Sequence, residues 1–463
     1  MVTKNRFVTS NWGVAWGTDR TAARSIAHRN PSKLSRTRDF GAVTESCLIF
    51  FFNLWKGFAG SLTAAAFIAG GVSTAQAQTS LSLHDAIARA QISPAARIAQ
   101  EQVNQVHGQV RQAGLRPNPR IYLSTEDSRP WVDGFSFPNN TEDYGYLGQT
   151  FELDGKRSKR TQFATANLRR TQAEQALQMQ QIAGRVAGSY WAAAASVRVA
   201  ALLEQDLAAV DAMVRYHKER VDAGAMRGVD LLRIQIERDR LFVALETARR
   251  DVELTRVDLF RQIGAPASKD VFLTDSIGST DSLPQISMES VFAQRPDLAA
   301  AHDAVAVAKA DVKLQRAIGV PDPDVLGGYK RNSGTNTLFA SLQVPLPFFN
   351  RNQGEIERAE AGVRLATAQL QQVELMVRAE VEAATDAYES QRQIVQNTLP
   401  DMRDRAKRNL EILNDAYRTG GVDLLRYIDA ERTEIDVEVS AIRTLSEYHQ
   451  SVLRLQLAYG VQP

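Results

Sequence analysis

The hydrophobic positions of this chain follow two different periods. Residues 337–344 alternate strictly, with Leu, Ala, Leu and Val on one face and Thr, Phe, Ser and Gln on the other. This period of two predicts a strand of about the length that crosses a membrane in a β-barrel. Residues 324–331 would be its hairpin partner, through a turn at 332–336. In the first half, residues 120–126 and 144–151 form a less regular pair. The predicted strand pairs thus lie at about 120–151 and about 324–346.

Long stretches without proline predict helices, because proline breaks a helix interior. A single helix over residues 156–222 would contain 67 residues, with only Gly184 and Gly188 as weak points. Such a helix is roughly 100 Å long and needs partners along its whole length. A return helix at about 229–263 completes a first helical hairpin, 156–263.

A second hairpin is predicted at about 352–459. Its long helix runs from about Asn352 to Tyr417, and Pro400 is expected to kink it. The return helix spans about 422–459. Both hairpins therefore have the antiparallel form of a coiled-coil assembly.

The two tip turns repeat almost word for word. Residues 228–233 read GVDLLR, and so do residues 421–426, at an offset of 193. Matching landmarks precede the long helices in the same order, as with Pro117-Asn118-Pro119 and Pro321-Asp322-Pro323. Several matches in one order predict an internal duplication. The first repeat would cover 78–280 and the second 281–463.

An uncharged segment at 57–72 lies between Lys56 and an Ala75-Gln76-Ala77 site. A positive flank, a short apolar core and an A-x-A site predict a signal peptide over 1–77, cut after Ala77. The alternative is a transmembrane anchor, for which the segment is short. The single cysteine, Cys47, would leave with this leader, so no N-terminal lipid anchor is expected. Beyond the leader no stretch approaches 18 uncharged apolar residues, and no transmembrane helix is expected there.

Charge and motifs exclude several classes of function. The whole chain has a net charge of +2, but residues 1–77 hold nine basic and three acidic residues, which leaves 46 basic and 50 acidic. A slightly acidic exported chain is not a typical nucleic-acid binder, so no nucleic-acid partner is expected. The sequence has no GxSxG elbow, P-loop or GxGxxG after a strand. We therefore expect no enzyme activity and no cofactor.

Metal ligands are equally sparse. The histidines after the leader show no HxxxH or HExxH spacing, and no cysteine remains there. Transition-metal sites need clustered His, Cys or carboxylate ligands. We therefore expect no dedicated metal site. Those histidines are His84, His107, His217, His302 and His449.

Four strands cannot close a barrel, and an open sheet edge is not tolerated in lipid. If these strands span a membrane, the chain has to form oligomers. Three copies would give twelve strands, an even number within the usual range.

The order of these features resembles the TolC-type outer membrane efflux proteins, within the branch of heavy-metal efflux outer membrane factors. The resemblance covers most of the chain, from about Leu81 to Gly460. The motifs that carry it are Leu83-x-x-Ala86-x-x-x-Ala90, Gln112-Ala113-Gly114-Leu115-Arg116-Pro117-Asn118-Pro119, Arg295-Pro296-Asp297-Leu298, Leu399-Pro400, Tyr417-Arg418-x-Gly420 and Leu457-x-x-Gly460.

The resemblance implies a homotrimeric duct of mainly α structure. Four strands per protomer would form a twelve-stranded barrel in the outer membrane, and long antiparallel helices would form a periplasmic α-barrel. Such ducts contact outer membrane lipid, dock onto a periplasmic adaptor and are supplied by an inner-membrane RND-type pump. The duct would be a passive, gated exit for metal cations or small toxic compounds.

The resemblance also places the pore constriction at the two tips. The matching acids are Asp230 and Asp423, and threefold symmetry would bring six carboxylates into one opening that favours cations. Arg233 and Arg426 lie one helical turn further and could pair with them. The alternative is that both acids are helix N-caps, because each follows a glycine-containing turn. The two interpretations are compatible.

Other functions remain open at this stage. A duct for type I protein secretion or for drug efflux would have the same architecture, because the cargo only passes through. A periplasmic coiled-coil adaptor or structural protein is an alternative of a different class. An adaptor should carry one hairpin rather than two, and it needs no strands of membrane-spanning length.

Overall fold

The computed structural model describes residues 79–269, 271–278, 283, 286–332 and 334–463. The predicted leader, its cut after Ala77 and Cys47 lie outside the described residues. The described chain is mainly helical, with two short parallel strands and one four-stranded antiparallel sheet.

The first half runs from a short strand through two helices into a strand pair and a long helical hairpin. Its elements are β1 (Thr79–Leu81), α1 (Leu83–Ala90), α2 (Pro94–Ala113), β2 (Arg120–Glu126), β3 (Glu142–Thr150), α3 (Lys156–Asp222) and α4 (Gly228–Ile263).

The second half has the same order, with its long helix interrupted. Its elements are β4 (Val271–Leu273), α5 (Met288–Gln294), α6 (Pro296–Ile318), β5 (Asp324–Asn332), β6 (Thr335–Gln343), α7 (Gln353–Gln393), a π-helical segment (Ile394–Thr398), α8 (Leu399–Arg418) and α9 (Leu424–Tyr459).

The helix α3 is continuous over 67 residues. Gly184 does not weaken it, because this position is a close contact with α9. A Cβ on Gly184 would lie 2.7 Å from Leu457 Cδ1, so a larger residue there would require the Leu457 side chain to shift. Buried alanines such as Ala183 and Ala187 also allow close helix approach.

The long helix of the second hairpin is irregular next to Pro400, where a kink is predicted. The irregularity is the π-helical segment just before it, and Pro400 is the second residue of α8. Within a continuous helix, proline removes one backbone hydrogen bond and its ring crowds the preceding turn. The wider π turn accommodates the lost bond without ending the helix.

The four-stranded sheet has the order β2-β3-β5-β6, so the two strand pairs join through β3 and β5. Tyr146 lies opposite Tyr122 on one side and Gly328 on the other. The connection from β5 to β6 is shorter than the predicted turn, because β6 begins at Thr335. Gly334 supplies the positive φ of +84° that this tight connection requires. Among the described residues, β2 and β6 are the edges of the sheet.

The parallel pairing of β1 with β4 is not anticipated by the sequence pattern. It closes a core in which Leu81 packs with Ile182, Val186 and Tyr190 of α3. The Tyr190 hydroxyl donates to Asp275 Oδ2 at 2.6 Å. Burial raises the pKa of Tyr190 to about 12, so this phenol stays a donor.

The helix α3 bears on the expectation that no membrane-spanning helix follows the leader. Within the described residues one helix, α3, is long and apolar enough to cross a membrane by length and composition. In its most apolar 18-residue window 44% is buried, and α3 packs against α2, α4, α6 and α9. Those contacts are typical of the core helix of a helical assembly.

Candidate pore constriction at the helical tips

The two hairpin tips are built by the same turn. Gly224 and Gly420 end the descending helices with φ values of +71° and +77°, the left-handed conformation that glycine adopts easily. Four residues later, α4 begins at Gly228 and α9 begins at Leu424. In each turn a backbone N–H caps the helix, from Ala225 to the Arg220 carbonyl and from Gly421 to the Ala416 carbonyl.

The GVDLLR motif therefore occupies different positions in the two tips. In the first tip, Ala225, Met226 and Arg227 form the turn, and the motif starts the helix. In the second tip, Gly421 follows Gly420 directly, so the motif itself supplies the turn. Because the two turns have equal lengths, the motif begins three residues further from the turn glycine in the first hairpin than in the second.

This shift separates the two predicted acids. Asp423 is the N-cap of α9, and its Oδ1 accepts from the Arg426 N–H at 3.2 Å. Asp230 is the third residue of α4, whose N-cap is Arg227. The N-cap interpretation is therefore confirmed for Asp423 and wrong for Asp230. In the first tip, three residues lie between Gly224 and the motif, so the helix already begins at the first residue of the motif. The position equivalent to Asp230 is occupied by Arg426.

Both predicted arginines lie near their acids. Arg233 Nη1 is 3.7 Å from Asp230 Oδ1, and Arg426 Nε is 4.0 Å from Asp423 Oδ1. These are loose, solvent-exposed pairs that contribute little to stability. The Asp230 side chain is 23% exposed and that of Asp423 is 68% exposed, so the second tip presents its acid more openly.

A buried histidine joins the two tips and was not singled out by the sequence pattern. His217 of α3 is 2% exposed. Its Nδ1 lies 2.8 Å from the Met213 carbonyl and its Nε2 lies 2.7 Å from the Tyr417 hydroxyl. Because a carbonyl only accepts, Nδ1 donates to the Met213 carbonyl, and Nε2 shares a second hydrogen bond with the Tyr417 hydroxyl of α8. Tyr417 in turn stacks on Tyr427 with a centroid distance of 5.4 Å.

Carboxylates from both hairpins meet above the tips. Burial, together with the charges of Asp206, Glu237 and Glu434, raises the pKa of Glu431 to about 7. Burial, followed by the charges of Glu434 and Glu438, raises the pKa of Asp206 to about 6. These groups lie on α3, α4 and α9, so the interface between the hairpins contains acids that are costly to ionise.

Basic groups of α8 lie beside this cluster and interact with two of its glutamates. Arg403 of α8 binds Glu438 through two bonds of 2.7 Å. Arg403 and Lys407 act on Glu434 and lower its pKa against the stronger effect of burial. Asp206 Oδ2 is buried with no hydrogen-bond partner among the described residues.

Within the part of the chain that the structure describes, no three His, Cys, Asp or Glu side chains are grouped so that they could hold a metal ion. The buried histidines have other contacts. His449 stacks on Trp191 with centroids 3.7 Å apart, and its Nε2 lies 2.9 Å from the Ile277 carbonyl.

Comparison with known proteins decides the family. The model of the outer membrane efflux protein family matches residues 84–265 and 288–461. The chain belongs to this family.

Individual relatives of this outer membrane efflux protein are consistent with its family. It is 23% identical over 370 residues to the cobalt-zinc-cadmium resistance protein CzcC of Cupriavidus metallidurans, which covers 78% of this chain and 85% of CzcC. It is 25% identical over 261 residues to the nickel and cobalt resistance protein CnrC of the same organism, covering 56% of this chain and 61% of CnrC.

The fold comparison points the same way. A CusC structure superposes with a TM-score of 0.71 at 18% identity, covering 82% of this chain and 92% of that chain. The open state of the MtrE outer membrane channel of Neisseria gonorrhoeae gives a TM-score of 0.71 at 19% identity, covering 82% and 89%. This efflux protein therefore has the TolC-like fold and is located in the outer membrane, where it acts as a channel.

Proposed function

We propose that this efflux protein is the exit duct of a tripartite system that exports metal cations. The cargo is inferred from the relatives, several of which are named for resistance to cobalt, zinc, cadmium or nickel. Because no metal-binding group occurs among the described residues, the choice of metal would be made by the pump rather than by the duct.

One observation carries the duct itself. The four-stranded sheet has two edges, β2 and β6, to which no described strand is paired. An open edge is not tolerated in lipid, so β2 of one copy would pair with β6 of the next. Three copies would close a barrel of twelve strands, and the helical hairpins would continue it into the periplasm.

We place the periplasmic constriction at Asp230, Asp423, Arg233 and Arg426. The exposure of Asp423 and the loose pairing of both acids support this placement. Carboxylates around a narrow opening favour cations and repel anions. The tips would also contact a periplasmic adaptor, which links the duct to an inner-membrane RND-type pump.

Oligomeric state and location test the proposal. Residues 78–463 would be exported behind a working signal peptide, and the membranes fractionated. Size-exclusion chromatography with light scattering on the detergent extract is expected to give a trimer from the outer membrane. A soluble periplasmic monomer would overturn the duct and favour an adaptor or structural protein.

Cargo needs a separate experiment. The chain would be expressed with its own pump and adaptor in a strain that lacks other ducts. Growth would be measured in cobalt, zinc and cadmium, and in parallel with organic dyes. Tolerance to the metals is the expected result, whereas tolerance to dyes alone would favour a drug efflux duct.

A further inference from the structure

One row of residues crosses all four strands of the sheet at the same level. Tyr122 of β2 lies opposite Tyr146 of β3, Tyr146 lies opposite Gly328 of β5, and Gly328 lies opposite Phe339 of β6. We refer to Tyr122, Tyr146 and Phe339 as the aromatic row.

The three rings of the aromatic row contact each other. Tyr122 and Tyr146 stack with centroids 4.7 Å apart and planes 16° apart. Tyr146 meets Phe339 edge to face at 5.7 Å. Gly328 makes the second contact possible, because a Cβ there would lie 2.3 Å from Tyr146 Cβ. Because Gly328 has no side chain, the Tyr146 ring can extend across β5 and contact Phe339.

The opposite face of the same strands is aliphatic and exposed. Leu123 is 78% exposed, Leu147 is 60% exposed and Leu338 is 85% exposed. These residues alternate with the aromatic row, so they point the other way. The lipid-facing surface of a barrel is apolar, whereas its interior is polar. The aromatic row therefore lies on the face that would line the lumen.

The neighbouring rows on the lumen face are charged. On one side Lys330 Nζ lies 3.3 Å from Glu142 and 4.7 Å from the centroid of the Tyr144 ring. On the other side Arg120 pairs with Asp324 at 3.1 Å. This surface already holds one cation over a tyrosine ring, and its basic groups are paired with acids.

We propose that the aromatic row is a binding subsite for planar aromatic organic cations that pass through the barrel. The proposal rests on the trimeric duct proposed above, in which three copies would place nine rings at one level of the lumen. Flat rings stack on flat solutes, and the negative face of each ring attracts a positive charge. A strongly hydrated divalent metal ion gains little from such a surface, so the subsite would bind organic cations in addition to the metal cargo proposed above.

Equilibrium binding to the detergent-solubilised trimer tests the subsite without depending on whether the tips are open. The probe is rhodamine 6G, a planar aromatic cation, followed by fluorescence polarisation. Fluorescein, a planar aromatic anion, is the probe for charge. The test variant carries Tyr146→Leu and Phe339→Leu, which keep an apolar side chain of similar reach. The matched control is Tyr329→Leu, which removes an aromatic ring from the opposite face of the same sheet.

Loss of two ring contacts should weaken rhodamine 6G binding roughly tenfold. The Tyr329→Leu trimer should bind like the unchanged protein, and fluorescein should bind weakly to all three. Equal rhodamine 6G affinity in the test variant, or an equal loss in the control, would overturn the subsite. If the double variant does not assemble, Tyr122→Leu, which removes the outermost ring of the aromatic row, should still weaken binding severalfold.

Light scattering on the same samples separates the two proposals. A monomeric unchanged protein would overturn the duct and the subsite together. A trimer whose rhodamine 6G binding does not depend on the aromatic row would overturn the subsite alone.

Discussion

At the scale of single residues, Asp423 has two roles that can be separated by choice of substitution. Its carboxylate accepts from the Arg426 N–H as an N-cap, and it places a charge at the tip. Asparagine retains the capping oxygen and removes the charge, whereas alanine removes both. Asp230 has no capping role, so its substitution tests charge alone.

The capping role predicts a local loss of stability. Asp423→Ala should cost about 1 kcal/mol at the start of α9, whereas Asp423→Asn should cost little. Hydrogen exchange of residues 424–427 should accelerate roughly fivefold in the alanine variant. Equal exchange in the alanine and asparagine variants would show that the side chain does not hold this helix end.

The charge at the tip predicts cation selectivity. Asp230→Asn combined with Asp423→Asn should lower the preference for cations in planar bilayers, because neutral amides no longer attract them. The control is the exposed Glu411→Gln on α8. Unchanged selectivity in the double variant would show that these two acids do not determine which ions pass.

The sequence placed both acids at the tips but could not separate their roles. The GVDLLR repeat suggested equivalent positions, since nothing in the six letters reports where the helix begins. The helix start depends on the spacing from Gly224 and Gly420, which a motif comparison at an offset of 193 does not include. His217 was unpredictable for another reason, since its partner Tyr417 is 200 residues away.

At the scale of elements, the packing of α9 on α3 and α4 should depend on pH. The pKa of Glu431 is raised to about 7 and that of Asp206 to about 6, mainly by burial. A raised pKa means that the packed state favours the protonated acid. The packing of α9 is therefore most stable at acidic pH, where both acids are protonated. This stability is lost as the pH rises through about 6 to 7.

Glu431→Gln should therefore flatten the pH dependence of stability between pH 5 and 8. Thermal unfolding of the detergent-solubilised protein would be measured across this range, with Glu411→Gln as the control. We expect the melting temperature of the unchanged protein to fall with rising pH more than that of the glutamine variant. Parallel curves would mean that Glu431 is not the group that titrates.

Within the sheet, Gly328 and Gly327 form a natural pair for comparison. A Cβ on Gly328 would lie 2.4 Å from the Gly145 carbonyl oxygen, whereas one on Gly327 would meet nothing closer than 4.0 Å. Gly328→Ala should thus reduce the yield of assembled protein in the outer membrane severely, and Gly327→Ala should not. The yield of assembled protein would be measured from membrane fractions on a non-denaturing gel. Equal yields of the two variants would contradict the close packing of Gly328 against β3.

The sequence predicts the long elements well because each repeats one period over many residues. The 67-residue α3 and the hairpin of β5 and β6 follow directly from proline placement and alternation. The pairing of β1 with β4 joins three-residue strands that are too short for a period. The π-helical segment depends on how α7 continues into α8 and has no local pattern either.

At the scale of the whole molecule, the open edges of the sheet predict a specific contact between copies. Ser124 of β2 and Thr337 of β6 lie in the same row across the sheet. Within one chain two strands separate them, a distance of roughly 14 Å. That is beyond the reach of a disulfide or a very short bismaleimide linker.

Closing a barrel tilts and staggers the strands, so the residue of β6 that lies opposite Ser124 of the next copy is displaced from Thr337 along the strand. Ser124→Cys is therefore combined in turn with cysteine at each position of β6 on the same face (335, 337, 339, 341 and 343), in a chain whose Cys47 is replaced by serine. One of these edge pairs should cross-link between copies. Denaturing gels after treatment with a short bismaleimide should show species of two and three chains. Tyr144→Cys with Lys330→Cys, on neighbouring strands, should cross-link within one chain and serves as the control. Single-chain products from every edge pair would contradict the closed barrel. The duplication of the chain also stays a prediction, supported by the two segments that the family model matches.

The three-residue shift at the tips has a consequence for symmetry. Two similar hairpins in each of three copies would suggest an aperture with six equivalent positions around its axis. At the third helical position, however, such a ring would alternate Asp230 with Arg426, and its charges would largely cancel. At the N-cap position the ring would alternate Arg227 with Asp423, so acid and base exchange places between the two hairpins at both levels. The electrostatic field at the aperture would then have threefold rather than sixfold character, because each hairpin carries its acid where the other carries a base.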